Sequence, residues 1–128
     1  MKHVIYDIET LSNCFTACFY NVDDGKKKEF SIRSGENSDS LYYFLISLKN
    51  NGYTLVGFNN LRFDAQVLEY IIQGCNKTCE EIYKEAQRLI LEGNNENWKA
   101  LLPEWKLSIP QIDLYLINQD RKSTRLNS

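Results

Sequence analysis

At 128 residues, with 43% apolar and 25% charged side chains, the chain is long enough to bury one hydrophobic core and too short for several domains. Its formal charge of −2 excludes a strongly basic protein that neutralises many phosphates. No apolar run approaches the roughly 20 residues of a membrane span, and "MKHVIYDIE" lacks the apolar centre of a signal peptide, so a cytoplasmic location is expected.

The chain opens on "HVIYDIETL", whose run Val4, Ile5, Tyr6, Asp7, Ile8 reads as a strand buried on both faces of a sheet. Asp7 and Glu9 are two residues apart, so they share one face of that strand, with Cα atoms roughly 6.5 Å apart. Ionised carboxylates that close repel each other unless a cation lies between them, and Mg²⁺ or Mn²⁺ is the usual partner for such oxygens. The alternative is a strand end where both acids simply reach water.

"NCFTACFYNV" and "KKKEFSI" flank Asp23-Asp24-Gly25, a hairpin signal, so the first three strands are expected to form an antiparallel meander. Lys26, Lys27 and Lys28 sit at or just past the hairpin tip, either as a solvated charge run or as a phosphate contact. Leu41, Phe44, Leu45 and Leu48 follow helical spacing, with Ser38 or Ser40 as a cap and Gly52 as a stop. "YTLVGFNN" then predicts a short strand, Tyr53 to Phe58, entering a polar break.

"LRFDAQVLEYIIQG" is helical, with Phe63, Val67, Tyr70 and Ile71 on one face and Gly74 past its end. Thr78 to Glu81, "TCEE", is a capping box for a third helix with apolar face Ile82, Ala86, Leu89 and Ile90, closed by Gly93. Residues 94–108 form a connector anchored by Trp98, Leu101, Leu102 and Trp105, and "IPQIDLYLI" is a last strand. Strand, helix, strand in this order predicts a parallel crossover that sets the fourth strand beside the first. "GFNN" then leaves the sheet on the edge where the first strand ends, and Asp64 projects over that edge from the first turn of the next helix.

The four cysteines fall as Cys14-x3-Cys18 and Cys75-x3-Cys79, without the two-residue gap of common zinc sites, and are read as ordinary buried or half-buried thiols; His3 is read as structural. The ending "DRKSTRLNS" reverse-translates to GATCGGAAGAGCACACGTCTGAACTCC, which looks like a widely used short-read sequencing adapter. Residues 120–128 are accordingly read as a non-native tail and 1–119 as the native stretch. Without the tail's three cations and one anion the charge moves from −2 to −4.

Together these residues resemble the DEDD 3′–5′ exonucleases, and within them the proofreading domains of phage-type replicative DNA polymerases. "YDIETL" resembles the first motif, Asp-x-Glu, and "GFNNLRFDAQVL" the second, Asn-x-x-Phe-Asp, here Asn60, Phe63 and Asp64; "IDLYLI" with Asp113 is similar to a strand that follows. The resemblance spans Val4 to Ile117. It implies an α/β, ribonuclease-H-like mixed sheet, three antiparallel strands then parallel ones, with flanking helices and incomplete at its C-terminus.

The same resemblance implies two divalent cations, Mg²⁺ or Mn²⁺, on Asp7, Glu9 and Asp64. Asp7 would contact both, Glu9 would also hold the attacking water, and Asp64 would support the second. Thr10 and Leu11 would lie against the terminal nucleotide, and Asn60 and Phe63 would hold the single-stranded DNA 3′ end. The implied reaction releases nucleoside 5′-monophosphates, and the implied partner is a downstream polymerase domain of the same intact chain.

The family's third motif, Tyr-x3-Asp or a histidine version, is absent, since Tyr115 is followed four residues later by Gln119. The 128-residue chain is therefore expected to be inactive, and loss of the later helix to leave apolar sheet surface uncovered. A free-standing exonuclease on DNA or short RNA and a degenerate exonuclease-like binding domain are the alternatives.

Overall fold

The computed structural model describes residues 2–94 and 101–117. Five strands form one mixed sheet in the order β3-β2-β1-β4-β5. β1 (His3–Leu11), β2 (Cys14–Asn21) and β3 (Lys27–Arg33) are the expected antiparallel meander. β4 (Thr54–Gly57) lies parallel beside β1, with Val4 opposite Leu55, and β5 (Gln111–Asp113) lies parallel beside β4. The chain is thus α/β, with helices α1 (Asp39–Asn50), α2 (Asp64–Ile72) and α3 (Cys79–Asn94) set against the sheet. Among the described residues no helix is long and apolar enough to cross a membrane.

The β2–β3 hairpin closes where Asp-Gly predicted. Gly25 takes φ +74°, a left-handed conformation that costs glycine little, and its N–H donates to the Asn21 carbonyl at 2.9 Å. α1 ends at Gly52, φ +75°. The Tyr53 N–H reaches the Leu48 carbonyl and the Gly52 N–H that of Lys49, the paired bonds of a Schellman motif. The capping box of α3 forms as expected: the Glu81 N–H donates to Thr78 Oγ1, and the Thr78 N–H donates to Glu81 Oε1, each at 3.2 Å.

One core joins the sheet to all three helices: Val4, Tyr6, Ile8, Phe15 and Phe19 from the meander meet Leu41 and Leu45 of α1, Val67 and Ile71 of α2, and Ile82 and Ala86 of α3. β1 was expected to be buried on both faces, and it is not. Its residues alternate, with Val4, Tyr6 and Ile8 inside and Ile5, Asp7 and Glu9 outside, because among the described residues no helix packs on the second face. Ile5 is 47% exposed there.

Other expectations need correction. Ser38 precedes α1 but does not cap it with its side chain; it is fully buried, and its Oγ accepts the Lys77 N–H at 2.9 Å, tying α1 to the α2–α3 loop. Gly93 lies within α3 rather than beyond it, and Ile90 is exposed. α2 buries more than one stripe. Gln66 and Glu69 are also inside, where Gln66 bonds the backbone of Leu61 and Leu102 and Glu69 accepts the N–H and hydroxyl of Ser108. Those polar bonds, with half-buried Leu101, hold the connector. Trp105 does not anchor it, being 78% exposed within a short 3₁₀ turn, Glu104–Lys106.

The last strand stops at Asp113, and residues 114–117 are helical. Asp113 ends it by accepting the Tyr115 N–H on Oδ1 at 3.0 Å, as a helix N-cap does. Trp98 and the tail at 120–128 lie outside the described residues.

Candidate functional site

The site is built where β1 runs out and β4 turns into α2. Asp7 and Glu9 stand on the open face of β1 and are exposed; Asp64 is the first residue of α2 and half-buried. Burial of Asp64, followed by the charges of Asp7 and then Asp113, pushes its carboxyl up to about 7, against the pull of a hydrogen bond from its own backbone N–H. Asp7 and Asp64 are 57 positions apart in the sequence, yet the Asp7 charge acts on Asp64.

The loop between β4 and α2 is fixed from below. Asn59 takes φ +57°, which asparagine tolerates better than most residues. The Asp113 carboxylate, 5% exposed, accepts the N–H of Asn59 at 2.8 Å and that of Leu61 at 3.2 Å. The Asn60 carbonyl accepts the Phe63 and Ala65 N–H groups, which starts α2 and sets Asp64 in its first turn. Beneath them the Gln111 side-chain carbonyl accepts from Tyr6 Oη at 2.9 Å and from Asn60 Nδ2 at 2.8 Å.

Gly57 makes this packing possible. A Cβ there would lie 2.9 Å from both Cβ and Cγ of Asn60 and 3.2 Å from a ring carbon of Tyr6. Burial raises the Tyr6 phenol far above its usual range; the Asn60 hydrogen bond opposes this, while the charges of Asp64 and Asp113 add to it. The phenol stays neutral and serves as a donor.

The expected site residues are therefore not all alike. Asn60 was expected at the nucleic acid, but it is fully buried, with Nδ2 on Gln111 and Oδ1 unpartnered among the described residues. It cannot touch a strand from there. Phe63 is half-buried at the start of α2, its ring packed against the core. Thr10 is half-exposed and Leu11 is 55% exposed at the end of β1, accessible to a ligand.

Glu9 shares its face with Asp7 but is not among the groups that shift Asp64. It acts instead on exposed Cys18, whose thiol is raised by desolvation first and then by Glu29, Asp7 and Glu9, with Lys27 opposing. The four cysteines are free thiols; they were expected buried or half-buried, which holds for Cys14 and Cys79, whereas Cys18 and Cys75 are exposed.

Tyr6, Gly57, Gln111 and Asp113 were not among the expected site residues. The signal for two of them was present: Gln111 and Asp113 stand two apart in a short apolar strand, which aims both polar groups at one face.

As to a metal, no group of three or more His, Cys, Asp or Glu side chains is arranged to hold one among the described residues. Asp7 and Asp64 supply hard oxygen donors whose mutual repulsion a divalent cation would relieve, so the pair fits such an ion in kind. No protein-family model, curated protein or solved structure matches the chain.

Proposed function

We propose that this chain is the N-terminal part of a ribonuclease-H-like 3′–5′ exonuclease domain, which trims single-stranded DNA 3′ ends to nucleoside 5′-monophosphates within a larger DNA polymerase. The observation that carries the reading is that Asp7 and Asp64, carboxylates from separate motifs, meet at one sheet edge, where burial first and then the Asp7 charge push the Asp64 carboxyl up to about 7. The strand order, with β4 parallel to β1 beside an antiparallel meander, is compatible with that fold.

Asp7, Asp64 and, from the same face of β1, Glu9 would hold Mg²⁺ or Mn²⁺, which when bound would supply Lewis acidity for activating water and for neutralising charge on the leaving 3′ oxygen. The chain's own residues do the rest. Thr10 and Leu11 offer an exposed ledge for the terminal nucleotide, and Phe63 positions the start of α2. Asn60, Gln111, Tyr6 and Asp113 act one layer below as positioning residues, holding the loop that carries Asp64.

A second reading, a binding domain without nuclease chemistry, draws on the lack of a three-carboxylate cluster among the described residues. Two measurements separate the readings. Mn²⁺ titration should show saturable binding that Asp7→Asn and Asp64→Asn each weaken at least tenfold. Long-read sequencing of the source DNA across the Gln119 codon should reveal a frame continuing into a Tyr- or His-based third motif, and that longer protein should shorten a 3′-labelled single strand. No Mn²⁺ binding, together with intact genomic codons for "DRKSTRLNS", would favour the binding domain.

A further inference from the structure

At the opposite end of β1 from the carboxylates lies a cleft of about 380 Å³ between the β2–β3 hairpin and the end of α1. Four lysines line it: Lys2 from the segment before β1, and Lys26, Lys27 and Lys28 from the hairpin. Its apolar wall is half-buried Phe44 and Tyr53, backed by the core residues Phe19 and Leu48, with the Phe19 and Phe44 rings 4.9 Å apart between centroids. The lysine run flagged in the sequence is therefore not spread over a flat surface. Lysines from two separate segments line one concavity, with Lys28 Nζ 5.7 Å from the centre of the Phe30 ring at its margin.

The cations are also not neutralised from within. Among the described residues none of these lysines takes part in a salt bridge. Asp24 lines the cleft, but its Oδ1 accepts the Lys26 backbone N–H at 2.8 Å and shapes the turn. Lys2 is held in place, with Nζ donating to the Asn51 carbonyl at 2.8 Å and lying 5.4 Å from the centre of the Tyr53 ring. The end of α1 would by itself disfavour an anion. That effect is blunted because the Ser47, Leu48 and Lys49 carbonyls are already bonded to Asn51, Tyr53 and Gly52.

We propose that this cleft binds a nucleoside monophosphate, its base against Phe44 and Tyr53, its phosphate among Lys2, Lys26 and Lys28. Size, an apolar aromatic wall and a cationic rim together match a ligand with a flat ring at one end and a phosphate at the other. The site is separate from Asp7 and Asp64 and needs no metal.

The test is calorimetric titration of the 128-residue chain at low salt in EDTA, with thymidine 5′-monophosphate, thymidine and inorganic phosphate as separate probes. Expected is saturable binding of the nucleotide, with thymidine and phosphate each at least tenfold weaker. Lys26→Ala/Lys28→Ala should weaken the nucleotide at least tenfold, Lys26→Arg/Lys28→Arg should largely restore it, and Asp7→Asn should leave it within twofold. No binding up to about 10 mM nucleotide, equal binding of inorganic phosphate, or binding indifferent to the lysines would each overturn the proposal. Because EDTA and Asp7→Asn leave the cleft untouched, its failure is distinguishable from failure of the exonuclease reading.

Discussion

The Asp113 carboxylate, at the end of β5, grips the turn after β4 by the Asn59 and Leu61 N–H groups, one on each oxygen. Residues 54 and 52 positions apart are thereby locked together, and the loop they fix is the one that delivers Asp64. Asp113→Ala would remove a buried acceptor, 5% exposed, and leave those two donors and the Tyr115 N–H without it in a part-buried loop. A loss of about 2–4 kcal/mol is expected in urea unfolding, since each bond to a charged acceptor is worth roughly 1.5–3 kcal/mol and the losses overlap. A loss under about 0.5 kcal/mol would show that the latch is dispensable.

Gly57→Ala tests the layer beneath. Its new Cβ would collide with the rigid base of the Asn60 side chain, so a loss of about 1–3 kcal/mol is expected. Asn60→Gly removes the two nearest atoms it meets and leaves only the Tyr6 ring carbon at 3.2 Å. In a double-mutant cycle the Gly57→Ala penalty should therefore shrink in the Asn60→Gly background, and strictly additive losses would refute the stated cause.

Asp64 makes stability depend on pH. The folded carboxyl keeps its proton up to about 7, whereas the unfolded residue releases it near 3.8, so the folded state binds more protons between those values. Its contribution is present in full below about 3.8 and is lost as pH rises through about 7. In metal-free buffer Asp64→Asn should therefore be more stable than the parent chain at pH 8, by about 2 kcal/mol after allowing for partial exposure, with the gap narrowing towards pH 4. Equal unfolding midpoints at pH 8 would contradict the burial and the Asp7 repulsion.

The same group should report on a cation. If Mn²⁺ occupies the pair, binding near pH 6 should expel a proton from Asp64, measurable as acidification of weakly buffered protein. Binding without proton release would place the metal elsewhere.

Trp105 should matter little to folding. With 78% of its surface in water, Trp105→Ala is expected to change stability by less than about 0.5 kcal/mol in urea unfolding.

Much of the fold could be read from local pattern. Asp-Gly at the hairpin, the heptad-like leucines of α1, Gly52 and the Thr78–Glu81 box act over a few residues, and backbone geometry answers to them directly. The shared face of Asp7 and Glu9 followed from the two-residue period of a strand, and the place of Asp64 in a first helical turn from the motif around it.

What tertiary structure decided was environment. Whether β1 is covered once or twice depends on which elements pack over it, so Ile5 read as core and proved exposed. Asn60 and Trp105 were placed on the wrong sides of the surface for the same reason: a polar residue goes inside when Gln111 waits to accept its amide, and an aromatic stays outside when no apolar partner reaches it. Asp113 and Asp64 carry identical side chains. One is tied down by three backbone N–H groups, and the other is left against Asp7 with its proton held to about 7, a difference set by long-range contacts that spacing along a chain does not encode.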